Sequence, residues 1–240
     1  KSPPIHATWA GVTWQEDLAD TLAVIGSADW LVVDHYAFDA RWQSGFKDLV
    51  EHIMVIDDLA DRPHAASLLL DQNLGRVEVD YDALLLKNCA LLIGPRFALL
   101  RPEFAAHRAA SLERRENADV SHLMITMGGT DARDATSTVL RALKLAELPN
   151  DLRISVVMGS SAPALEPVKK LAVRMAWRCE VLVEVREMAS LMSEADLAIC
   201  AGGSTNWERC CLGLPGIVVQ TATNQASSVL AMEHLGAALG

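Results

Sequence analysis

Short apolar runs rich in Val, Ile and Leu recur along the chain, each followed by polar or glycine-containing residues and then by a stretch of helical spacing. In the first half, DWLVVDHY (29–36) and HIMVIDDL (52–59) flank the helix-compatible WQSGFKDLVE. That spacing predicts a βαβ unit and therefore a parallel sheet. ASLLLDQN and CALLIGPRF add two further runs, and PEFAAHRAASLERR, with Pro102 at its start and arginines at its end, predicts a helix that closes the block.

The polar stretch RRENADV (114–120) reads as a boundary, after which the same alternation restarts, so two domains are expected, 1–117 and 118–240. In the second, apolar runs at 121–127, 152–158, 179–185, 195–200 and 216–220 alternate with helical patterns at 134–147, 163–175, 187–194 and 204–212. Five strands alternating with four helices predict a doubly wound α/β domain that binds its ligand beyond the carboxyl ends of the strands. The first block lacks an opening strand with a glycine-rich turn, and the last helical stretch, NQASSVLAMEHLGAALG, stops where another strand is expected. The chain is therefore expected to be a fragment with an incomplete N-terminal domain.

With 51% hydrophobic and 22% charged residues over 240 positions, there is material for a sizeable core and no compositional sign of disorder. No stretch approaches the ~18 uninterrupted apolar residues of a membrane span, and the first residues lack the layout of a signal peptide. No membrane association is expected, and a cytoplasmic location is the default. A net charge of -10 without a basic stripe speaks against nucleic acid as partner. It does not exclude an anionic small molecule, because backbone N–H groups at a helix start hold phosphate without lysine. Cys89, Cys179, Cys200, Cys210 and Cys211 form no CxxC spacing and read as reduced core thiols. The seven histidines form no metal-ligand pattern, so neither a metal nor a cofactor is expected.

The candidate chemistry lies where apolar runs stop. AICAGGSTNWERCC ends a run at Gly202-Gly203 and starts a helix at Ser204, Thr205 and Asn206. The glycines permit close backbone approach, and N–H groups at the helix start suit a phosphate; an ordinary N-cap with Glu208 completing a capping box accounts for the same residues without a ligand. A second pair, Gly128-Gly129 followed by Thr130 and Asp131, ends the run LMITM. Two such turns on one edge of a doubly wound sheet favour a diphosphate, although neither GxGxxG nor GxxxxGK[ST] is present. Glu208, one turn into its helix, can accept two hydrogen bonds from a ribose diol or serve the helix dipole. Asn224 and Gln225 can present amides to sugar hydroxyls or cap the next helix. In the first block, Asp34, His35 and Tyr36 end one run and face a cleft if the strand is parallel. Asp57, Asp58, Asp61, Arg62 and His64 follow another, for which a solvated turn with local Asp–Arg pairing is the simpler reading. Asp71, Gln72 and Asn73 follow a third.

Taken in order, DHY, IDDLADRPH, LLDQN, GPRFALLRPEF, MGGTD, AGGSTNWERCCLGLP and NQ resemble the nucleotide-sugar hydrolases of pseudaminic acid biosynthesis, over residues 29 to about 226. MGGTD and GGSTNWE are shared in looser form with the peptidoglycan N-acetylglucosaminyltransferases, whereas IDDLADRPH and LLDQN point to the hydrolases. The resemblance implies a GT-B arrangement of two Rossmann-like domains facing a cleft, with a UDP-sugar as ligand. Gly128, Gly129, Thr130, Asp131, Gly203, Ser204, Thr205 and Asn206 would lie at the diphosphate, Glu208 at the ribose, and Asn224 and Gln225 toward the sugar. Tyr36 and Asp34 would approach the sugar from the first domain. It further implies metal-free attack of water on the anomeric carbon with inversion and departure of UDP. A glycosyltransferase of related architecture and a UDP-sugar-binding module without turnover are the alternatives. The oligomeric state stays open, a monomer included. The family's presumed base is a histidine in a GxGHxxR-like element that these residues do not contain, and His35 and His64 do not match it.

Overall fold

The computed structural model describes residues 4–116, 119–222 and 225–239, and the chain forms two compact units, Lys1–Leu99 and Leu100–Gly240. The first includes helix α1 (Trp14–Val24), which is not among the expected elements although Trp14, Leu18 and Leu22 recur at helical spacing and pack on the core. Its start is nonetheless written in T-W-Q-E. The Thr13 hydroxyl accepts from the Glu16 N–H at 3.2 Å, and Glu16 accepts from the Thr13 N–H at 2.9 Å, a reciprocal capping box. Strands β1 (Ala28–Val33), β2 (Val50–Ile56), β3 (Leu68–Asp71) and β4 (Ala90–Ile93) then form an all-parallel sheet in the order β1-β2-β3-β4. The expected crossover helix between β1 and β2 is brief: α2 (Ala40–Gln43) passes into a 3₁₀ turn at Ser44–Phe46. Phe46, Val55, Leu69 and Tyr81, all fully or nearly fully buried, centre the core of this unit.

The second unit starts earlier than the polar stretch at 114–120 predicts. Helix α3 (Pro102–Arg115), expected to close the first block, is part of the second unit. Phe104 is fully buried in a cluster with Met124, Met192 and Leu212, which contributes about 2–3 kcal/mol. The Ser111 hydroxyl donates to the Leu212 carbonyl at 2.8 Å, and Arg115 donates to the carbonyls of Met192 (2.8 Å) and Ala195 (2.7 Å). Arg115 therefore satisfies the carboxyl end of α6 (Met188–Glu194), so a pair of arginines that reads as linker is tertiary contact. The expected boundary residues 117 and 118 themselves lie outside the described residues.

Strands β5 (His122–Thr126), β6 (Arg153–Met158), β7 (Arg178–Val183), β8 (Leu197–Ala201) and β9 (Gly216–Val219) build a parallel sheet in the order β7-β6-β5-β8-β9. Their neighbours in sequence are α4 (Ala135–Leu143), α5 (Leu165–Ala172), α6, α7 (Thr205–Cys211) and α8 (Ala226–His234). The continuous apolar runs have a direct cause, since alternate residues of one strand enter different cores. Leu123, Ile125, Ile154, Val156 and Ile199 join Leu140 and Val168 of α4 and α5, whereas Met124, Val157 and Ala198 join the cluster around Phe104. A strand covered on both faces has no polar side to alternate with. Both units are thus parallel, Rossmann-like α/β sheets.

Candidate functional site

Chain order reverses in the second sheet between β5 and β8, which pair directly, Thr126 opposite Cys200. That is the topological switch point, where crossovers diverge and leave a crevice at the carboxyl ends. Gly128-Gly129 follows β5 and Gly202-Gly203 follows β8, so two turns far apart in sequence share one edge of the sheet. Gly128 has φ +85°, a left-handed conformation open to glycine. Gly159, at the end of β6, packs so closely that a Cβ there would meet the Gly129 carbonyl oxygen at 2.2 Å. By contrast, a Cβ on Gly129 or Gly203 would meet nothing within 4 Å. A hollow of about 230 Å³ opens here, lined by Gly128, Gly129, Gly159, Glu184, Met188 and Thr205 among others. A second, of about 190 Å³, is lined by Thr130, Asp131, Arg133 and Thr221 with their neighbours.

The side-chain cap expected of Ser204 does not form, although the N–H groups of Asn206 and Trp207 bond to the carbonyls of Gly203 (3.0 Å) and Ser204 (2.9 Å). Ser204 precedes α7 with helical φ and ψ and makes no side-chain cap bond, and Glu208 turns to Arg101, Nη2 lying 3.7 Å from Oε1, rather than back to the helix start. No capping box forms. Ser204 is exposed, and the first turn of α7 is not closed by its own side chains.

Three residues expected to face a ligand have other partners. Asp131, at φ +37°, is buried and accepts from the N–H groups of Ala135 (2.9 Å) and Thr136 (3.0 Å). Together with Asp134, whose carboxylate accepts from Ser137 N–H at 3.3 Å, it closes the start of α4. Asn206 is fully buried; its amide donates to the carbonyls of Ala201 (3.3 Å) and Gly203 (3.1 Å) and accepts from Arg209 Nε at 2.9 Å. It shapes the turn from beneath. Arg209, also buried, donates onward to the carbonyls of Leu214 and Ala237. Gln225 uses its amide oxygen to accept from Thr221 N–H (2.9 Å), the Thr221 hydroxyl (3.2 Å) and Ala222 N–H (3.3 Å), closing the loop before α8. Asn224 lies outside the described residues.

In the first unit the acidic loops also sit at strand carboxyl ends, but they are not solvated. Asp57 is buried, with Arg62 Nη1 2.8 Å from Oδ1 and with Ala60 N–H and the Tyr81 hydroxyl each donating to Oδ2 at 2.9 Å. Burial pushes the Asp57 carboxyl up, yet Arg62 and these hydrogen bonds hold it below the ordinary carboxylate range. The same Tyr81 hydroxyl lies 2.9 Å from Asp71 Oδ2, which Arg76 Nε also contacts at 2.7 Å. Burial moves Asp71 the other way, upward. His64, buried against Gln43 at 3.0 Å, is pushed down to about 4 by burial. His35 is folded onto its own chain, Nδ1 accepting from Ala37 N–H at 3.1 Å.

Tyr36 borders this network, and Asp34 lies outside it. Asp34 is exposed and Tyr36 half-buried beside Asp58, with His6 and Trp9 rings 5.5 Å away and the Arg62 guanidinium 5.8 Å from its ring centroid. Burial, the hydrogen bond with Asp58 and the charges of Asp57 and Asp34 raise the phenol above its ordinary value, so it stays protonated. Sequence reasoning missed Gly159 and Arg101. A glycine directly after the run ISVVM is a signal of the same kind as the two glycine pairs; Arg101 lies within GPRFALLRPEF, but nothing in that element assigns it a role.

Residues 122–240 match the Glycosyltransferase family 28 C-terminal domain. The spore coat polysaccharide biosynthesis protein SpsG of Bacillus subtilis is 29% identical over 63% of this chain and 44% of its own length. The UDP-2,4-diacetamido-2,4,6-trideoxy-beta-L-altropyranose hydrolase of Campylobacter jejuni is 28% identical over 72% of this chain and 60% of its own length. The matched stretches thus span about half of these relatives' lengths. Among solved structures, Acinetobacter baumannii MurG superposes with a TM-score of 0.61 at 17% identity, covering 95% of this chain and 63% of its own. The resemblance read from the motifs therefore holds at the level of sequence, and the fold is GT-B-like.

Proposed function

From a second unit whose residues 122–240 match the Glycosyltransferase family 28 C-terminal domain, we propose that the chain binds a UDP-sugar and belongs to an enzyme that hydrolyses it. Water attacks the anomeric carbon with inversion, releasing UDP and a 2,4-diacetamido-2,4,6-trideoxyhexose in pseudaminic acid biosynthesis. The observation that carries the nucleotide reading is the uncapped start of α7 beside the open Gly128-Gly129 turn at the switch point. The hydrolase reading is supported by the Campylobacter jejuni relative and by the IDDLADRPH and LLDQN elements.

In this proposal Gly128, Gly129, Thr130, Gly203, Ser204 and Thr205 contact the diphosphate, chiefly through backbone N–H groups. Such fixed donors meet the charge that grows on the leaving group, an effect worth ~3 kcal/mol per donor. Glu208 accepts the ribose hydroxyls, and Gln225 with Asn224 flanks the sugar. Asp131 and Asn206 hold the two turns in shape rather than touching ligand. In the first unit, Tyr36 and Asp34 act on the sugar, the protonated phenol as a hydrogen-bond donor.

The test is incubation of the full-length protein with UDP-2,4-diacetamido-2,4,6-trideoxy-β-L-altropyranose without acceptor, followed by proton NMR. Free sugar of inverted anomeric configuration and UDP are expected. The family 28 match favours one second reading, a glycosyltransferase; turnover that starts only when an acceptor is added would establish it in place of the hydrolase. Binding without either reaction would leave a UDP-sugar-binding module.

A further inference from the structure

Glu208 meets a partner from GPRFALLRPEF to which the sequence assigns no role. Arg101, one residue before α3, places Nη2 3.7 Å from Glu208 Oε1 and Nη1 2.9 Å from Glu103 Oε1. Nη1 also reaches the Arg186 carbonyl at 3.4 Å, and the guanidinium carbon stands 5.3 Å over the Phe104 ring. These contacts join α7, the first turn of α3 and the segment between β7 and α6, whose Met188 lines the hollow beneath the glycine turns. Phe104 is fully buried, so the platform under the guanidinium is rigid.

We propose that Arg101 is the positioning residue of the ribose subsite, its planar fork holding the Glu208 carboxylate on one side and the Arg186 backbone on the other. This rests on the reading of Glu208 as the ribose acceptor. The physical need comes from the surroundings of Glu208. Burial pushes its carboxyl above the ordinary value, Arg101 counters that, and the like charge of Glu103 reinforces it. Arg101 and Glu103 are the charged groups facing it from α3 and its approach, while Arg209 on its own helix is turned inward to backbone carbonyls. The ionised carboxylate offers one free oxygen to each hydroxyl of a diol, whereas protonation turns one of them into a donor. A fork with separate nitrogens for Glu208 and for Arg186 does what the point charge of a lysine cannot.

Calorimetric titration of UDP and of 2′-deoxyuridine diphosphate from pH 5 to 8, on wild type, Arg101→Ala, Arg101→Lys and Glu208→Gln, tests this, with thermal melts as the folding check. Wild type is expected to prefer UDP. Because Arg101 is half exposed, its removal weakens UDP by about threefold to tenfold at pH 7. The preference over the deoxy nucleotide shrinks toward that of Glu208→Gln. UDP affinity falls as pH drops through the Glu208 midpoint, and in Arg101→Ala that fall begins at higher pH. Arg101→Lys restores the pH profile but not the preference. If wild type prefers UDP and Arg101→Ala keeps both preference and profile, the assignment of Arg101 is overturned. Should the alanine variant not fold, lysine decides, and a lysine variant with undiminished preference overturns it equally. If wild type binds no UDP, the nucleotide reading itself fails.

Discussion

The two units end their parallel strands in polar residues, yet they treat them oppositely. In the first, Asp57, Arg62, His64, Asp71 and Tyr81 are buried and engage one another. In the second, the turns after β5 and β8 leave open space above Gly129 and Gly203. A dense acidic motif is here a scaffold, and a sparse glycine turn is the seat proposed for a ligand. The difference follows from desolvation: a carboxylate removed from water requires partners and then has little capacity left for a ligand, whereas a glycine at the apex of a turn brings no side chain to desolvate, and the buried Asp131 and Asn206 support the two turns from within.

The largest effect that separates the units is Asp57→Ala. Removing it leaves the buried Arg62 without its main counter-charge, and the first unit is expected to lose about 3–5 kcal/mol in denaturant unfolding. UDP affinity should not change, because the second unit keeps its fold. A loss of UDP affinity in the folded variant would mean that the acidic loop belongs to the ligand site after all.

Next in size is a pH effect confined to the first unit. Folded His64 has its pKa lowered to about 4 from the ordinary 6.5. Below pH 6.5 the unfolded chain takes up the proton first, so stability falls as pH is lowered toward 4, by about 1 kcal/mol per pH unit, and the group contributes no slope above 6.5. His64→Gln should remove that slope. Asp58 and Asp71, raised by burial, act in the opposite sense and remain in both proteins, so the difference between the two curves isolates the histidine. Identical curves would show that the imidazole is not held neutral.

In the second unit, Gly159→Ala places a methyl group against the Gly129 carbonyl oxygen. Backbone must move, which costs about 1–3 kcal/mol and weakens UDP about tenfold or more. Unaltered binding would remove the turn after β5 from the site. Ser204→Ala is the smallest and sharpest case. Because the hydroxyl caps nothing, the melting temperature should stay put, where loss of a true N-cap costs about 1 kcal/mol. UDP should weaken about threefold to tenfold through the lost hydrogen bond. A drop in stability with unchanged affinity would restore the cap reading.

Legibility from the sequence followed the same division. Among the described residues, the apolar runs predicted all nine strands to within a few residues; in the centre of the second sheet this is because strands covered on both faces are apolar throughout. The glycine pairs were legible as turns, and sheet order then brought them together. Helix α1 was missed although its capping box is written in Thr13 and Glu16 and its apolar face in Trp14, Leu18 and Leu22, because single apolar residues one turn apart form no continuous run. The polar stretch at 114–120 misled about the boundary because arginines that satisfy helix-end carbonyls look the same in sequence as arginines in water.

What the sequence by itself determined are the local properties: strand and helix positions, the two-unit architecture and the places where chain direction turns, all set by interactions between residues close in sequence. What only the tertiary structure decided is which polar group has a partner. Asp57 with Tyr81, Gly129 with Gly159, and Glu208 with Arg101 meet because strands cross and helices pack, at separations no periodicity records. Whether a carboxylate holds the fold or faces a ligand depends on that partner.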